Sequence, residues 1–220
     1  MALTINGKTI ETVLVIDDDE QAREGFGYVI EEMKLKPVYE AGPLHDLQKL
    51  LTQLPNRADA VVCDYHLRVR NFAHFDGDQL VASSNSNQFP ALLCTTYTDS
   101  DVTVLRSKRR YIPTLLKPEA YSPETFVRGF TRCVLESKGE FDPSRRPWRT
   151  LVRVEEVDMA GGYFYVVVPI WSADDKIRIY LADVPDQMRG RVKSDQRFHA
   201  QVNIGAETAD ELYFFEWEDH

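Results

Sequence analysis

Val13-Leu14-Val15-Ile16-Asp17-Asp18-Asp19 is an unbroken apolar run that stops on three carboxylates. A continuous run, rather than an alternating one, has no face to give to water, so Thr12–Ile16 reads as a strand buried on both sides. The same pattern recurs along the chain. Ala58–Cys63 is apolar and stops at Asp64, Ala91–Thr95 is strand-like and ends on a hydroxyl, and Ile112–Leu116 stops at Lys117. Pro37–Ala41 is a further short strand. Between these runs lie stretches of helical length and spacing. Glu20–Lys34 carries Ala22, Phe26, Val29, Ile30 and Met33, and Pro43–Leu54 carries Leu44, Leu47, Leu50, Leu51 and Leu54. Asp78–Ser86 opens after Gly77, and Asp101–Arg110 follows the fourth strand. Ser122-Pro123-Glu124 starts a helix to about Lys138: Ser caps, Pro suits the first turn and Glu favours the positive end of the helix dipole. Strands alternating with helices imply an α/β layer with a parallel sheet, because parallel neighbours need crossover helices. Ligands of such sheets bind off the carboxyl ends of the strands. Here those ends carry Asp17–Asp19, Asp64, Thr95 and Lys117.

The 220 residues leave room for one large domain or two small ones. Hydrophobic residues at 43% and charged residues at 28% exclude a disordered chain. Asp plus Glu outnumber Lys plus Arg by 35 to 26, which excludes a general basic footprint for nucleic acid. Gly161 to Ser172, an uncharged apolar stretch, is too short and too polar at its ends for a bilayer span. Lys8 and Glu11 interrupt the N-terminal apolar stretch, so no signal peptide is expected. Cys63, Cys94 and Cys133 are odd in number and widely spaced, as buried thiols of a cytoplasmic protein would be.

Residues 139–149 hold two prolines, several charges and no apolar period, and read as a linker. Beyond it the texture is β. Leu151–Val157, Tyr163–Ile170, Lys176–Ala182, Arg197–Ile204 and Glu211–Trp217 are expected strands, with a short helix in Pro185–Val192. That order suits a small OB-like barrel. The expected division is 1–138, a linker 139–149, and a β module 150–220.

Asp17, Asp18 and Asp64 converge if the first and third strands are neighbours. Three carboxylates in one crevice repel unless a cation neutralises them, and hard oxygen ligands suit Mg2+. Lys117 would add a positive charge and Thr95 a hydroxyl. An aspartate can attack phosphorus and form an acyl phosphate. With these residues in hand, the chain from 12 to about 138 resembles the receiver domains of two-component response regulators (CheY-like). The motifs are the run ending in Asp17-Asp18-Asp19, Asp64 after Ala60-Val61-Val62-Cys63, Pro90-Ala91-Leu92-Leu93-Cys94-Thr95, and Leu116-Lys117-Pro118, with Arg23 and Asp76-Gly77 as secondary features. The resemblance implies a flavodoxin-like, doubly wound five-stranded parallel sheet. It implies Asp64 as phosphoacceptor, Asp17 and Asp18 as the metal-binding pair, and the His66 backbone carbonyl as a further Mg2+ ligand. It also implies Thr95 as switch hydroxyl, Lys117 as phosphoryl contact, and a histidine kinase or phosphotransfer protein as donor. The chain departs from the pattern in a longer loop between Asp64 and Gly77, which holds Arg68, Arg70, His74 and the expectedly exposed aromatics Phe72 and Phe75. Thr96 stands where the family has a small residue, and Thr114 where it often has an aromatic.

Other readings compete. Asp17 and Asp19 also form the Asp-x-Asp of haloacid-dehalogenase phosphatases, but Glu20-Gln21 replaces the Gly-Thr that should follow. A constitutive adaptor with a vestigial receiver site is a further alternative. His66 and His74 have poor zinc spacing. The basic run Arg106, Lys108, Arg109 and Arg110 reads as a solvated helix end, or more sharply as a docking patch. Tyr163, Tyr165, Tyr180, Tyr213, Phe215 and Trp217 would suit base stacking. From Arg145 to His220, however, 14 acidic residues outnumber 10 basic ones, and ordinary core and rim is the expectation. A downstream protein partner for the β module and a homodimer are therefore expected ahead of nucleic acid, with no membrane partner and no turnover activity.

Overall fold

The computed structural model describes residues 2–95 and 99–220. The chain divides into two compact units, Met1–Tyr97 with Tyr111–Glu140, and Thr98–Arg110 with Phe141–His220.

The first unit opens with a hairpin that lies outside the elements expected from sequence, β1 (Leu3–Ile5) and β2 (Lys8–Ile10). Its turn is Asn6-Gly7, with φ of 45° and 81°. Asn-Gly turns tolerate left-handed backbone and match the twist of paired strands. Ile5 and Ile10 bury their side chains in the core of the unit. There follow β3 (Thr12–Ile16), α1 (Glu20–Glu32), β4 (Lys36–Glu40), α2 (Leu47–Arg57), β5 (Ala60–Asp64), α3 (Gly77–Ser86) and β6 (Ala91–Cys94). After α4 (Asp99–Arg106), which is counted with the other unit, come β7 (Leu115–Leu116) and α5 (Pro123–Ser137).

All strand pairs of this sheet are parallel, in the order β4-β3-β5-β6-β7. Counted from β3, that is 2-1-3-4-5, the flavodoxin-like doubly wound order. Val13, Leu14, Val15 and Ile16 are all buried, as an unbroken apolar run requires. Val13 and Val15 share a core with Phe26 and Ile30 of α1 and Phe126 and Phe130 of α5. Burying side chains of this size stabilises by about 1.5–3 kcal/mol each. Among the expected elements of this unit, a helix and a strand begin several residues later than read. The helix expected from Pro43 begins at Leu47, because Asp46 caps it through the Lys49 N–H and Leu44 is taken by a bridge to Ala73. The strand expected from Ile112 contracts to Leu115–Leu116, with a 3-10 turn at Arg109–Tyr111 before it.

The second unit is a five-stranded antiparallel sheet. Its strands are β8 (Trp148–Asp158), β9 (Tyr163–Val168), β10 (Ser172–Tyr180), β11 (Arg197–Val202) and β12 (Phe214–Asp219), with α6 (Asp186–Arg189) between β10 and β11. The order is β10-β9-β8-β11-β12. Among the described residues no ladder joins the edge strands β10 and β12, so the observed pairing is an open sheet. Alternate residues fill its core: Val152 and Val154, Phe164, Val166 and Val168, Ile177 and Ile179, Phe198, Ala200 and Val202.

The α4 segment is fastened to this sheet unit. Arg106 is buried, and its guanidinium donates to the carbonyls of Ala209 at 2.6 Å and Leu212 at 2.8 Å. Burial pulls it down to about 10, so it stays charged at neutral pH. Thr103 accepts from Nε and Nη2 of Arg178 at 3.2 and 3.1 Å. Arg145 donates to the carbonyls of Arg109 and Arg110, and its own carbonyl accepts from the Tyr213 hydroxyl. The solvated basic helix end expected from sequence is therefore corrected at Arg106. A charge ending a helix is not exposed when buried carbonyls are there to receive it.

Candidate functional site

The parallel register brings the expected strand ends side by side. Ile16 pairs with Cys63, so Asp17 and Asp64 extend neighbouring strands. Asp64 pairs with Cys94, which sets Thr95 beside it, and Cys94 pairs with Leu116, which sets Lys117 next in line. The Thr95 N–H donates to the Leu116 carbonyl at 2.9 Å. Lys117 is exposed and leads into a 3-10 turn, Pro118–Ala120.

The acidic corner is tightly organised. Asp17 is buried; its Oδ1 accepts from the Asp19 N–H at 2.8 Å, and its carbonyl accepts from Arg23. Asp19 caps α1 by accepting from the N–H groups of Gln21 and Ala22. Burial pushes the Asp17 carboxyl up to about 7; the negative charges of Asp64, Asp18 and Asp19 act in the same sense, and the Asp19 N–H opposes them. Burial also raises Asp64, against the N–H groups of His66 and Tyr65, and the His66 N–H reaches Asp64 Oδ2 at 2.7 Å. Gly77 opens α3 against the Asp64 backbone. Any Cβ there would stand 1.8 Å from the Asp64 carbonyl oxygen, so only glycine fits.

Thr95 contributes a buried hydroxyl with no hydrogen-bond partner, and so does Thr114. An unpaired buried hydroxyl is costly. Thr96 lies outside the described residues. Among the described residues no group of three or more His, Cys, Asp or Glu side chains is gathered at metal-holding distances. The donor set nevertheless fits a hard cation that keeps most of its waters and needs only one or two carboxylates.

The long loop after Asp64 is anchored, not splayed. Phe72 and Phe75, expected to be exposed, are buried. Leu44 donates to the Phe72 carbonyl at 2.7 Å and accepts from His74 at 2.9 Å, which draws the loop down onto the segment before α2. The Phe72 ring fills the space beside Gly42 and lies under the Arg23 guanidinium. His74 pairs with His45 across 3.3 Å, while Arg68 pairs with Asp76 at 3.0 Å. Arg70 leans over the acidic corner. Its Nη1 is 3.4 Å from Asp19 Oδ2 and its Nε 3.9 Å from Asp18 Oδ2.

Two neighbours of the site carry no sequence signal for that position. One is Arg70. The other is Tyr121, which bonds to the Cys94 thiol and packs on the Phe26 ring at 5.0 Å. Its hydroxyl is pushed up by burial and by the nearby Cys94, Asp64 and Asp17.

No protein-family model matches the sequence, and no curated protein matches it. Solved structures do. A receiver domain from Clostridium thermocellum matches at 13% identity and a TM-score of 0.44, over 59% of this chain and 98% of that one. The beryllofluoride-activated NtrC4 receiver domain dimer matches at 18% identity and a TM-score of 0.42, over 58% of this chain and 98% of that one. CheY4 of Vibrio cholerae matches at 19% identity and a TM-score of 0.41, over 57% of this chain and 99% of that one. What the chain has in common with them is fold, and the C-terminal part of the chain is unmatched. By its strand order, 2-1-3-4-5, the parallel unit is a flavodoxin-like doubly wound sheet, and its strand ends are acidic at Asp17 and Asp64.

Proposed function

We propose that this chain is a response regulator in which Asp64 accepts a phosphoryl group and the antiparallel unit carries the output. The observation that carries this reading is the set of four adjacent strand ends, with Asp64 between the Asp17-Asp18 pair and Thr95 with Lys117 beyond. An Asp64 carboxylate oxygen attacks the phosphorus of a phosphohistidine on a kinase or phosphotransfer protein. The P–N bond breaks, its electron pair returns to the imidazole, and the ring takes a proton from solvent. Asp18, Asp64 and the His66 carbonyl would hold Mg2+, with Asp17 behind them. When bound, the ion supplies positive charge for the phosphoryl oxygens. The chain's own contributions are distinct. The N–H of His66 orients the Asp64 carboxylate. Lys117 meets the added negative charge, and the unpaired Thr95 hydroxyl turns to donate to it.

Thr95 is followed within three residues by Thr98–Arg110, the segment counted with the antiparallel unit. The switch therefore feeds covalently into the output unit. We propose that the receiver lies within 1–138 apart from the Thr98–Arg110 segment counted with the other unit, and that beyond a linker at 139–149 the module 150–220 is OB-like, the last on the strength of its 3-2-1-4-5 order with a helix between third and fourth strands. A protein partner suits this module better than nucleic acid, because Tyr213 and Trp217 are buried and Arg178 is engaged by Thr103. The phosphatase reading is weak. Its nucleophile would be Asp17, which is buried and holds its proton up to about pH 7.

The test is beryllofluoride with Mg2+ on the full chain, read by fluorine NMR. An adduct that is lost on Asp64→Ala supports the reading. A wild-type chain that forms none sinks it. An adduct that changes neither oligomeric state nor partner capture favours the constitutive adaptor.

A further inference from the structure

Arg70 is a cation placed at the mouth of a site that is short of positive charge. Nη1 lies 3.4 Å from Asp19 Oδ2 and Nε 3.9 Å from Asp18 Oδ2. The pose is imposed by the loop. Leu67, Phe72 and Phe75 are buried on either side, and the Ala73 N–H donates to the Leu67 carbonyl at 2.9 Å, closing the loop at its base. Between these anchors Arg70 and Asn71 both adopt φ of 56°. Two successive left-handed residues other than glycine are uncommon and costly. An exposed ion pair, worth little by itself, would not hold the backbone there; the buried anchors do.

We propose that Arg70 is a built-in counter-ion that competes with the divalent cation for Asp18, so that metal entry requires its displacement. The inference rests on the receiver-site reading and adds a residue to it. Asp18 is the carboxylate at issue because Arg70 and a metal would draw on the same oxygens. A small hard cation takes carboxylate oxygen at about 2.0–2.1 Å and demands near-octahedral order, and a guanidinium hydrogen-bonded to Asp19 with its Nε 3.9 Å from Asp18 Oδ2 stands in the way of that approach. Displacement is easy, because the Arg70 side chain is 65% exposed and can swing into water while Asp18, at 13%, stays put. In the metal-free state the arginine moderates the repulsion among the carboxylates. In the loaded state it is released to the rim. Arg68 does not share this role, since Asp76 holds it.

The experiment is Mn2+ titration of the full chain, following loss of the free-ion signal by electron paramagnetic resonance. Arg70→Gln is expected to bind Mn2+ about 3–5-fold more tightly than wild type, the range set by one exposed charge pair at this distance. Arg70→Glu should bind more tightly still, and Arg70→Lys should stay near wild type because the charge remains. On an Asp18→Asn background, Arg70→Gln should give no gain, as expected for two groups acting on one another. If binding depends on Asp18 but Arg70→Gln is equal to or weaker than wild type, the site stands and the competing role of Arg70 is wrong. If wild type and Arg70→Gln both bind no Mn2+, or bind it regardless of Asp18, the metal-site reading fails and takes this one with it.

Discussion

Asp17→Asn asks whether the acidic corner is folded against its own repulsion. The Asp17 carboxyl goes from an ordinary 3.8 to about 7 on folding, through burial first and then through Asp64, Asp18 and Asp19. Between those two values the folded chain keeps a proton that the unfolded chain has released, so stability declines as pH rises through this window. The contribution is intact below 3.8 and fully lost above about 7. Roughly three pH units at about 1.36 kcal/mol each set an upper figure of ~4 kcal/mol. Relaxation and water at the open side of the crevice bring the expected penalty to ~2–3 kcal/mol. Asparagine is neutral at every pH and keeps an oxygen for the Asp19 N–H, so it mimics the protonated state. The assay is urea unfolding in a chelator at pH 5 and pH 8, followed by far-ultraviolet circular dichroism, because α1, α2, α3 and α5 all lie in the parallel unit. Emission from Trp148, Trp171 and Trp217, all in the antiparallel unit, is the internal control. About 40% of the penalty has accrued by pH 5, so the advantage of the variant over wild type should at least double by pH 8. An advantage that does not grow with pH, or a variant less stable than wild type at pH 8, refutes the reasoning.

Thr95→Val should be neutral or stabilising by up to ~1 kcal/mol in the resting protein, since it removes a buried hydroxyl that has no partner and leaves a better strand former. A loss greater than that in the urea midpoint would mean the hydroxyl is bonded at rest. Arg106→Met should cost the antiparallel unit ~2–4 kcal/mol, because the carbonyls of Ala209 and Leu212 lose a charged donor while the desolvation cost of the guanidinium is recovered. Tryptophan emission reads that loss, and a midpoint shift worth under ~0.5 kcal/mol would show the two bonds to be incidental.

The strands of the parallel unit were legible because burial on both faces demands an unbroken apolar run, and four such runs end on Asp17, Asp64, Thr95 and Lys117. Their convergence was legible because parallel strands with crossover helices present the same ends together. What surrounds the site was not. Phe72 and Phe75 looked exposed because they lie in a loop, but burying an aromatic ring is what pins a long loop, and Leu44 supplied the bridge that let them turn inward. Arg70 owes its place to that path and to two left-handed residues, neither of which spacing reveals. Asn6-Gly7, by contrast, is a plain hairpin signal between Ile5 and Lys8, legible from the residues alone.

The α4 segment shows where periodicity stops informing. Val102 and Leu105 give it an apolar face, and that face reads the same whichever surface covers it. Its polar residues decide. Thr103, Arg106, Arg109 and Arg110 are all bonded, through side chain or carbonyl, to residues at or after Arg145. A boundary placed at residue 138 therefore cuts through a compact unit, parting Arg106 and the Thr103 hydroxyl from the Ala209 and Leu212 carbonyls and Arg178, and Arg145 from the carbonyls of Arg109 and Arg110. A fragment of residues 1–138 should keep its parallel sheet but show rapid amide exchange across Asp99–Arg106, where the full chain is expected to exchange slowly. Equal protection of α4 in fragment and full chain would mean that the helix belongs with the parallel sheet after all, and that the route from Thr95 to the output unit does not run through it.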